Sequence, residues 1–433
     1  MIIQEQIREY MNDFQKRQLP NLVERSINIS ETDKIITIIG PRRAGKTYFL
    51  FQLMENLIQK GAKKEQIIYL NFEDPRLINS SFEEMREIVK IHSQLYPEQK
   101  KYLFIDEPQN IKKWEIAVRS LYDEGFRIYI TGSSSKLLSK EIATSLRGRN
   151  LSYLLLPFSF KEFLSLKEKY FSILKLSSKE KSELLYLLNE FLDLGSFPEI
   201  IKEEDKENKI KIINNYFELI VFKDIIERYN IKNSKLIKWL IKSSISSFSN
   251  EFSLNKVYTT LKSQNINVSK NTIYNYFSLL EDAFFIFPVY KISFSERKKD
   301  IILNKIYLND TGFVRLIEAS KELGKKMENI VFLELLRRKK TLEEINYWKD
   351  HQHEVDFVIT ESKKPKSLIQ ACYNVHNADT KKREINSLLH AGRELKCRNL
   401  IVITWDYEAE EENKWFDLEG KVKFIPLWKW LLR

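Results

Sequence analysis

A parallel α/β sheet with an anion-cradling loop, then a helical run, a helix-turn-helix and a second α/β region: this is the architecture the sequence predicts. Three observations predict it. Short β-branched apolar runs alternate with amphipathic stretches across residues 1–156, the pattern of βα units. One of those runs opens directly into a glycine-bracketed loop ending in a lysine and a hydroxyl residue. From Pro157 the period becomes helical, and strands return only after two short helices separated by a turn.

The chain has 433 residues, more than one core of about 250–300 residues can hold. A prior of about 150 residues per domain suggests about three. Hydrophobic residues make up 43% and charged residues 30%, a foldable, globular composition. Lys and Arg number 71 against 60 Asp and Glu, giving +11. That excess permits a polyanionic partner without requiring one. Two cysteines, Cys372 and Cys397, exclude a disulfide framework and a thiolate zinc cluster. No apolar run approaches the roughly 20 residues of a transmembrane helix, and the first segment mixes both charges and lacks a signal-peptide core. A soluble, cytoplasmic, multidomain protein with no membrane association is expected. Lys, Glu and Ile are heavily used, as in many thermophiles, although an AT-rich genome gives the same bias.

Ile35 to Ile39 reads as a buried parallel strand. It leads into Gly40-Pro41-Arg42-Arg43-Ala44-Gly45-Lys46-Thr47, a full match to G-x-x-x-x-G-K-[ST], and then into a helix from Tyr48 with Phe49, Leu50, Leu53 and Leu57 on one face. The glycines let backbone N–H groups wrap a phosphate, and the helix N-terminus adds positive potential. Lys46 would reach the β- and γ-phosphates of ATP, and Thr47 would ligate Mg²⁺. Further on, the apolar run Tyr102 to Ile105 ends in Asp106-Glu107. Asp106 is placed to hold Mg²⁺ through water, and Glu107 to orient and activate the attacking water. Arg127 to Thr131 reads as another core strand, ending in Gly132-Ser133-Ser134. A hydroxyl there would touch the γ-phosphate or the water, or it would simply cap the next helix. Leu146-Arg147-Gly148-Arg149 precedes a last strand. A guanidinium there would act on a neighbouring subunit's nucleotide, or serve as an ordinary ion pair. Five strands are expected: 35–39, 67–70, 102–105, 127–131 and 152–156.

Residues 157–231 read as a small helical lid, with Phe-Leu stripes as core. Residues 232–298 fit a winged helix. Phe252 to Lys262 forms one helix, Asn265 to Val268 a turn, and Ser269 caps a second helix from Lys270 to Glu281. Such a second helix enters the DNA major groove by its N-terminal residues, here Lys270, Asn271, Thr272 and Asn275. Arg297, Lys298 and Lys299 would grip phosphates from a wing hairpin. Otherwise the module only mediates protein contacts or continues the lid, and the basic run is a solvated loop.

Residues 299–433 suggest an α/β domain with a nuclease-like arrangement that has lost its chemistry. Glu334 lies in an amphipathic helix, Glu354 and Asp356 share one face of a hairpin strand, and Gln370 and Cys372 share one face of the next strand. This is similar to the PD-(D/E)xK nuclease constellation, in which carboxylates bind Mg²⁺ and a lysine helps the nucleophilic water. Here Gln370 fills the acid position and Cys372 the lysine position. A neutral amide is a poor Mg²⁺ ligand and a thiol cannot replace an ammonium. His351 and His353 lie in the hairpin turn; they could bind a metal with nearby acids, but exposed turn residues are the commoner reading. Trp428 and Trp430 are expected to be core.

The segments Gly-Pro-Arg-Arg-Ala-Gly-Lys-Thr, Phe-Ile-Asp-Glu, Tyr-Ile-Thr-Gly-Ser-Ser-Ser, Leu-Arg-Gly-Arg, Pro-Phe-Ser-Phe-Lys-Glu-Phe, Gly-Ser-Phe-Pro-Glu, Lys-Ile-Tyr-Leu-Asn-Asp-Thr-Gly and Glu-Val-Asp-Phe-Val-Ile follow in that order from Gly40 to Ile359. In that order the chain resembles archaeal and bacterial AAA+-like ATPases that carry a C-terminal domain of unknown function with a restriction-endonuclease-like fold. The resemblance implies ATP and Mg²⁺ as cofactors, a lid, a winged helix, and a homo-oligomeric ring or part-ring, hexameric in one version, with an arginine finger acting in trans. On that similarity Arg149 is the first choice of finger and Arg147 the second. No second-sensor arginine stands out in the lid. Two functions are expected from different classes: a DNA-dependent ATPase that moves or restructures DNA, branched DNA included, or a nucleotide-controlled signalling or defence switch with a protein partner. An active nuclease would need metal-dependent cleavage that Asp356→Ala abolishes.

Overall fold

The computed structural model describes residues 4–97, 101–133, 146, 148–293, 304–317 and 322–433. They divide into two compact units, Met1–Pro157 with Asp282–Phe284, and Phe158–Glu281 with Phe285–Arg433.

In the first unit, helix α1 (Gln4–Lys16) precedes an irregular segment and then strand β1 (Ile35–Ile39), α2 (Lys46–Gln59), β2 (Ile67–Asn71), α3 (Phe82–Leu95), β3 (Tyr102–Asp106), α4 (Trp114–Asp123), β4 (Arg127–Gly132) and β5 (Asn150–Leu154). Helix α1 forms because Ile7, Tyr10, Met11 and Phe14 recur at helical spacing and are all buried. The five strands pair in parallel in the order β2-β3-β4-β1-β5. All their carboxyl ends therefore share one edge, the usual place for a ligand in an open α/β sheet. The inner strands are mostly apolar because helices pack on the sheet, and Ile35, Ile38, Ile39, Leu103, Phe104, Ile105 and Ile130 are fully buried, whereas the edge strand β5 is partly exposed. The fifth strand begins two residues earlier than the periodicity suggests. Its register is set by pairing with β1, Ile35 opposite Asn150 through Ile39 opposite Leu154.

The second unit begins with helices α5 (Phe160–Leu166), α6 (Ser178–Leu194), α7 (Pro198–Lys202) and α8 (Lys206–Leu219), followed by a π-helical stretch Ile220–Glu227 and α9 (Ser234–Ser246). The segment expected as a lid lies here except for Pro157. Serine caps start α5 and α6: Ser159 Oγ accepts from Glu162 N, Ser177 Oγ from Glu180 N, and each glutamate returns the bond. Next come β6 (Asn250–Phe252), α10 (Leu254–Ser263), α11 (Lys270–Asp282), β7 (Ile286–Lys291) and β8 (Asn304–Leu308), with β8 antiparallel to both β6 and β7.

Helix α12 (Leu323–Arg338) leads to β9 (Glu343–Lys349), β10 (Glu354–Glu361), β11 (Lys364–Cys372), α13 (Ala378–Glu394), β12 (Leu400–Thr404), β13 (Ala409–Trp415), β14 (Leu418–Pro426) and α14 (Leu427–Leu432). These strands do not form a separate sheet. Strand β7 pairs in parallel with β9, so one nine-stranded sheet runs β13-β14-β12-β11-β10-β9-β7-β8-β6. Apart from Pro157 and Asp282–Phe284, which go with the first unit, the segments expected as lid, winged helix and C-terminal domain thus fall in one compact unit. Trp428 and Trp430 are buried in α14, as expected of core residues, and the Arg338 guanidinium lies 4.5 Å over the Trp430 ring.

Candidate functional site

The glycine loop sits where β1 ends. Gly40 has φ 156°, and a Cβ there would lie 2.0 Å from the Leu155 carbonyl oxygen, so only glycine lets the chain leaving β5 pass this close. Gly45, at φ 95°, caps α2 in a left-handed conformation, and Arg43 shares that region at φ 65°. Lys46, the first residue of α2, is buried and folds back over the loop, donating to the carbonyls of Gly40 at 3.1 Å and Pro41 at 2.9 Å. Such carbonyls are what an ammonium exchanges for phosphate oxygens when a nucleotide enters. Arg42 pairs outward with Glu73 at 3.1 Å; Ala44 is buried, whereas Tyr48 is exposed.

Asp106 is the hub of the site. Thr47 Oγ donates to one of its oxygens at 2.6 Å and Tyr69 OH at 3.2 Å; Thr131 Oγ donates to the other. Burial and the neighbouring Glu107 raise the Asp106 pKa, while the hydroxyl donors and Lys46 oppose them. A nearly desolvated carboxylate beside a threonine hydroxyl is a hard-oxygen donor set of the kind Mg²⁺ takes. Glu107 has φ 54°, a left-handed backbone at a non-glycine residue. Its carboxylate lies 3.7 Å from Lys46 Nζ, accepts from Ser133 N at 3.2 Å and Ser133 Oγ at 3.1 Å, and is also held by the Gln109 amide. Ser133 therefore reaches Glu107, the residue expected to handle the water. Ser134 and Arg147 lie outside the described residues, as do Arg297, Lys298 and Lys299.

A further residue beside this site, like Tyr69 and Gln109, carries no motif. Arg25, in the irregular segment before β1, is buried and donates to the Ala44 carbonyl at 2.8 Å and the Leu156 carbonyl at 2.6 Å. It braces the loop from behind. Nothing in the mixed stretch Asn21 to Ser30 around it marks it in sequence.

Arg149 stands at the opposite edge of the sheet. Its carbonyl accepts from Ile35 N at 2.8 Å, at the start of β1. The five-residue strand between that point and the loop spans about 16 Å at about 3.3 Å per residue. The guanidinium pairs with Asp123 at 2.6 Å and lies 5.3 Å over the Tyr122 ring. It cannot touch this chain's own nucleotide.

In the second unit, α11 presents Lys270, Asn271 and Asn275 to solvent, with Thr272 half-exposed and Ile273, Phe277 and Leu280 inward. Ser269 Oγ accepts from Thr272 N at 3.1 Å, as a cap should. Asp356, Gln370 and Cys372 also come together. Gln370 Oε1 accepts from Asp356 N at 2.6 Å, and the buried Cys372 thiol is pushed up to about 12 by burial and Glu384. Glu334 does not join them. It pairs with Arg337 at 3.3 Å and Arg338 at 2.7 Å. The helix carboxylate that reaches the cluster is Glu328, on a different face of α12. Between the acids lies the buried Lys305 ammonium, 2.9 Å from Asp356, 3.0 Å from Glu328 and 2.6 Å from Glu354. Burial lowers its pKa, but Asp356 and Glu328 more than compensate, holding it well above the ordinary lysine value. Burial and then Asp356 push Glu328 up to about 8. Sequence reasoning missed Lys305 and Glu328 because neither residue type nor spacing marks them; only the β8–α12–β10 packing does.

Residues 32–164 match the model of an AAA domain. Residues 185–323 and 323–430 match two domains of unknown function, DUF8612 and DUF4143. The chain is 43% identical over 417 residues to an uncharacterized protein of Methanocaldococcus jannaschii, covering 95% of this chain and 91% of that one. It is 30% identical over 424 residues to an uncharacterized protein of Haemophilus influenzae, covering 95% and 98%. Among solved structures, the Aeropyrum pernix ORC1 protein in complex with DNA is similar at 11% identity and a TM-score of 0.30, covering 77% of this chain and 93% of that one. Among the described residues no helix is long and apolar enough to cross a membrane.

Proposed function

We propose, for a chain that belongs to the same family as these Methanocaldococcus jannaschii and Haemophilus influenzae proteins, an ATPase that couples ATP hydrolysis to the binding and restructuring of DNA. The observation that carries the hydrolytic part is the grouping of Lys46, Thr47, Asp106, Glu107 and Ser133 at one edge of a parallel sheet. The loop N–H groups and Lys46 bind the phosphates. Thr47 and Asp106 would hold Mg²⁺, which when bound supplies charge neutralisation on the β- and γ-phosphate oxygens. Glu107 takes the proton of the attacking water, and Ser133 fixes its carboxylate in position. Arg149 reaches a neighbouring subunit's nucleotide in a homo-oligomer and stabilises the transferring phosphoryl there.

The DNA part rests on α9, β6, α10, α11, β7 and β8, whose order is that of a winged helix, and on the exposed amino-terminal face of α11. Lys270, Asn271 and Asn275 supply the side-chain types that read base edges and phosphates. The cluster around Asp356 is read as a nuclease-like scaffold without activity. Gln370 replaces a carboxylate, and the Lys305 ammonium occupies the space between the acids.

The test measures ATP hydrolysis without nucleic acid and then with single-stranded, duplex and four-way-junction DNA, at low and high salt. Stimulation by one DNA form that fades with salt and is lost in Lys270→Ala/Asn271→Ala supports the reading. Hydrolysis indifferent to every DNA overturns the DNA half and favours a nucleotide-controlled switch with a protein partner.

A further inference from the structure

We infer that Asp350, His353 and His390 form a binding site for a divalent transition-metal ion of the zinc class, independent of the nucleotide site. One potential ligand atom from each residue lies within 4.8 Å of the other two. Asp350 and His353 come from the β9–β10 turn, and His390 comes from α13, on a different part of the fold.

The distances are those of a metal's ligands, although His353 Nδ1 also stands in hydrogen-bond contact with Asp350 Oδ2. A tetrahedral zinc with ligand bonds of about 2.0–2.2 Å sets neighbouring ligand atoms about 3.3–3.5 Å apart. His353 Nδ1 lies 3.5 Å and His390 Nδ1 3.2 Å from the same oxygen, Asp350 Oδ2. The shorter separation lacks hydrogen-bond geometry: among the described residues His390 Nδ1 has no hydrogen-bond partner despite its proximity. Both rings thus face one carboxylate oxygen at the edge length of a coordination tetrahedron.

The carboxylate is already held for this role. Asp350 Oδ1 accepts from Gln352 N at 2.7 Å and His353 N at 2.6 Å, so the turn backbone fixes one oxygen and leaves Oδ2 to the histidines. Outer hydrogen bonds of this kind orient metal ligands. Aromatic rings pack around the imidazoles: Trp415 centres 5.2 Å from His353 and 6.3 Å from His390, and Trp348 5.5 Å from His390. Two imidazoles and one carboxylate suit zinc or another borderline ion and leave a fourth position for water. His351, the other turn histidine, is exposed and takes no part. The ion would tie α13 to the β9–β10 turn.

The experiment titrates chelator-stripped full-length protein with Co²⁺ and Zn²⁺. Binding is read by calorimetry, by the Co²⁺ visible spectrum, and by quenching of Trp348 and Trp415 fluorescence. One Co²⁺ per chain with an intense tetrahedral spectrum is expected, displaced by Zn²⁺. His353→Ala and His390→Ala should each weaken it at least about 100-fold, in line with or beyond outer-sphere ligand losses of about 10–100-fold. His376→Ala, a histidine outside the cluster, should leave it unchanged. If His390→Ala fails to fold, His353→Ala in the turn carries the test. Absence of stoichiometric binding, or binding that survives both substitutions, overturns the proposal.

Discussion

Replacing Lys305 by Met tests how the buried charge cluster is balanced. The substitution keeps most of the volume and removes the ammonium. Three carboxylates lose a partner, but not three charges are stranded. Glu328 is pushed above the ordinary carboxylate range by burial and Asp356, so it takes up a proton the more readily. Glu354 keeps Lys349 at 3.0 Å. Among the described residues Asp356 is left with only neutral donors, such as Ala371 N at 3.0 Å. One uncompensated buried charge costs about 3–5 kcal/mol. At about 2–4 °C per kcal/mol that is a fall in Tm of about 6–20 °C for the unit concerned. The sign with pH follows from the direction of the shift. Lys305 is raised above its unfolded value, so its stabilisation is fully present at all pH below about 10. In the variant the acids take up protons as pH falls, so the loss should shrink on going from pH 7.5 to pH 5. Chemical denaturation of wild type and variant at both pH values measures it. A loss below about 1 kcal/mol at pH 7.5, or the same loss at both, would refute the reasoning, since that is the range of an exposed ion pair.

Three further outcomes are expected. Glu107→Gln should lower ATP turnover about 10²–10⁴-fold while ATP still binds, as seen by comparing phosphate release with a fluorescent-nucleotide titration. Arg149→Ala should be nearly neutral for stability, because its pair with Asp123 is partly exposed; it should abolish turnover, and mixing it with Lys46→Ala protein should restore some, because an intact finger can then face an intact nucleotide site. Asp310 is fully buried and pushed up to about 6 from 3.8 by burial, despite donors from Ser196 and Gly312. The wild type should therefore lose about 3 kcal/mol of stability as pH rises from about 4 to above 6, a slope that Asp310→Asn lacks.

The first unit was largely legible because its signals are local. Ile35–Ile39, the loop after it, and Asp106 at the end of an apolar strand are fixed by neighbours in sequence, and their spacing carries the chemistry. Helix α1 was equally written in Ile7, Tyr10, Met11 and Phe14, although mixed charges drew attention away from it. The second unit was less legible because its site is assembled from distant pieces. Glu328 and Glu334 lie six positions apart on one helix, and only packing decides which faces Asp356. Lys305 on β8 looks like any strand-edge lysine until β10 and α12 close around it. Arg25 has no pattern because its partners are backbone carbonyls, which any residue offers. In sequence His353 reads mainly as an exposed turn residue, because His390, whose ring centres 5.1 Å away, lies on a helix that gives no sign of facing the turn. The joining of β7 to β9 merged segments that composition alone divides.

The most direct test of the central claim is Mg²⁺-dependent phosphate release from ATP by wild type and Lys46→Ala, with thermal unfolding of both as a control for folding. The account predicts turnover in the wild type, at least a 100-fold loss in the variant if removing the phosphate-binding ammonium costs about 2.7 kcal/mol or more of transition-state stabilisation, and similar unfolding curves. Equal phosphate release by both, with both folded, would contradict it.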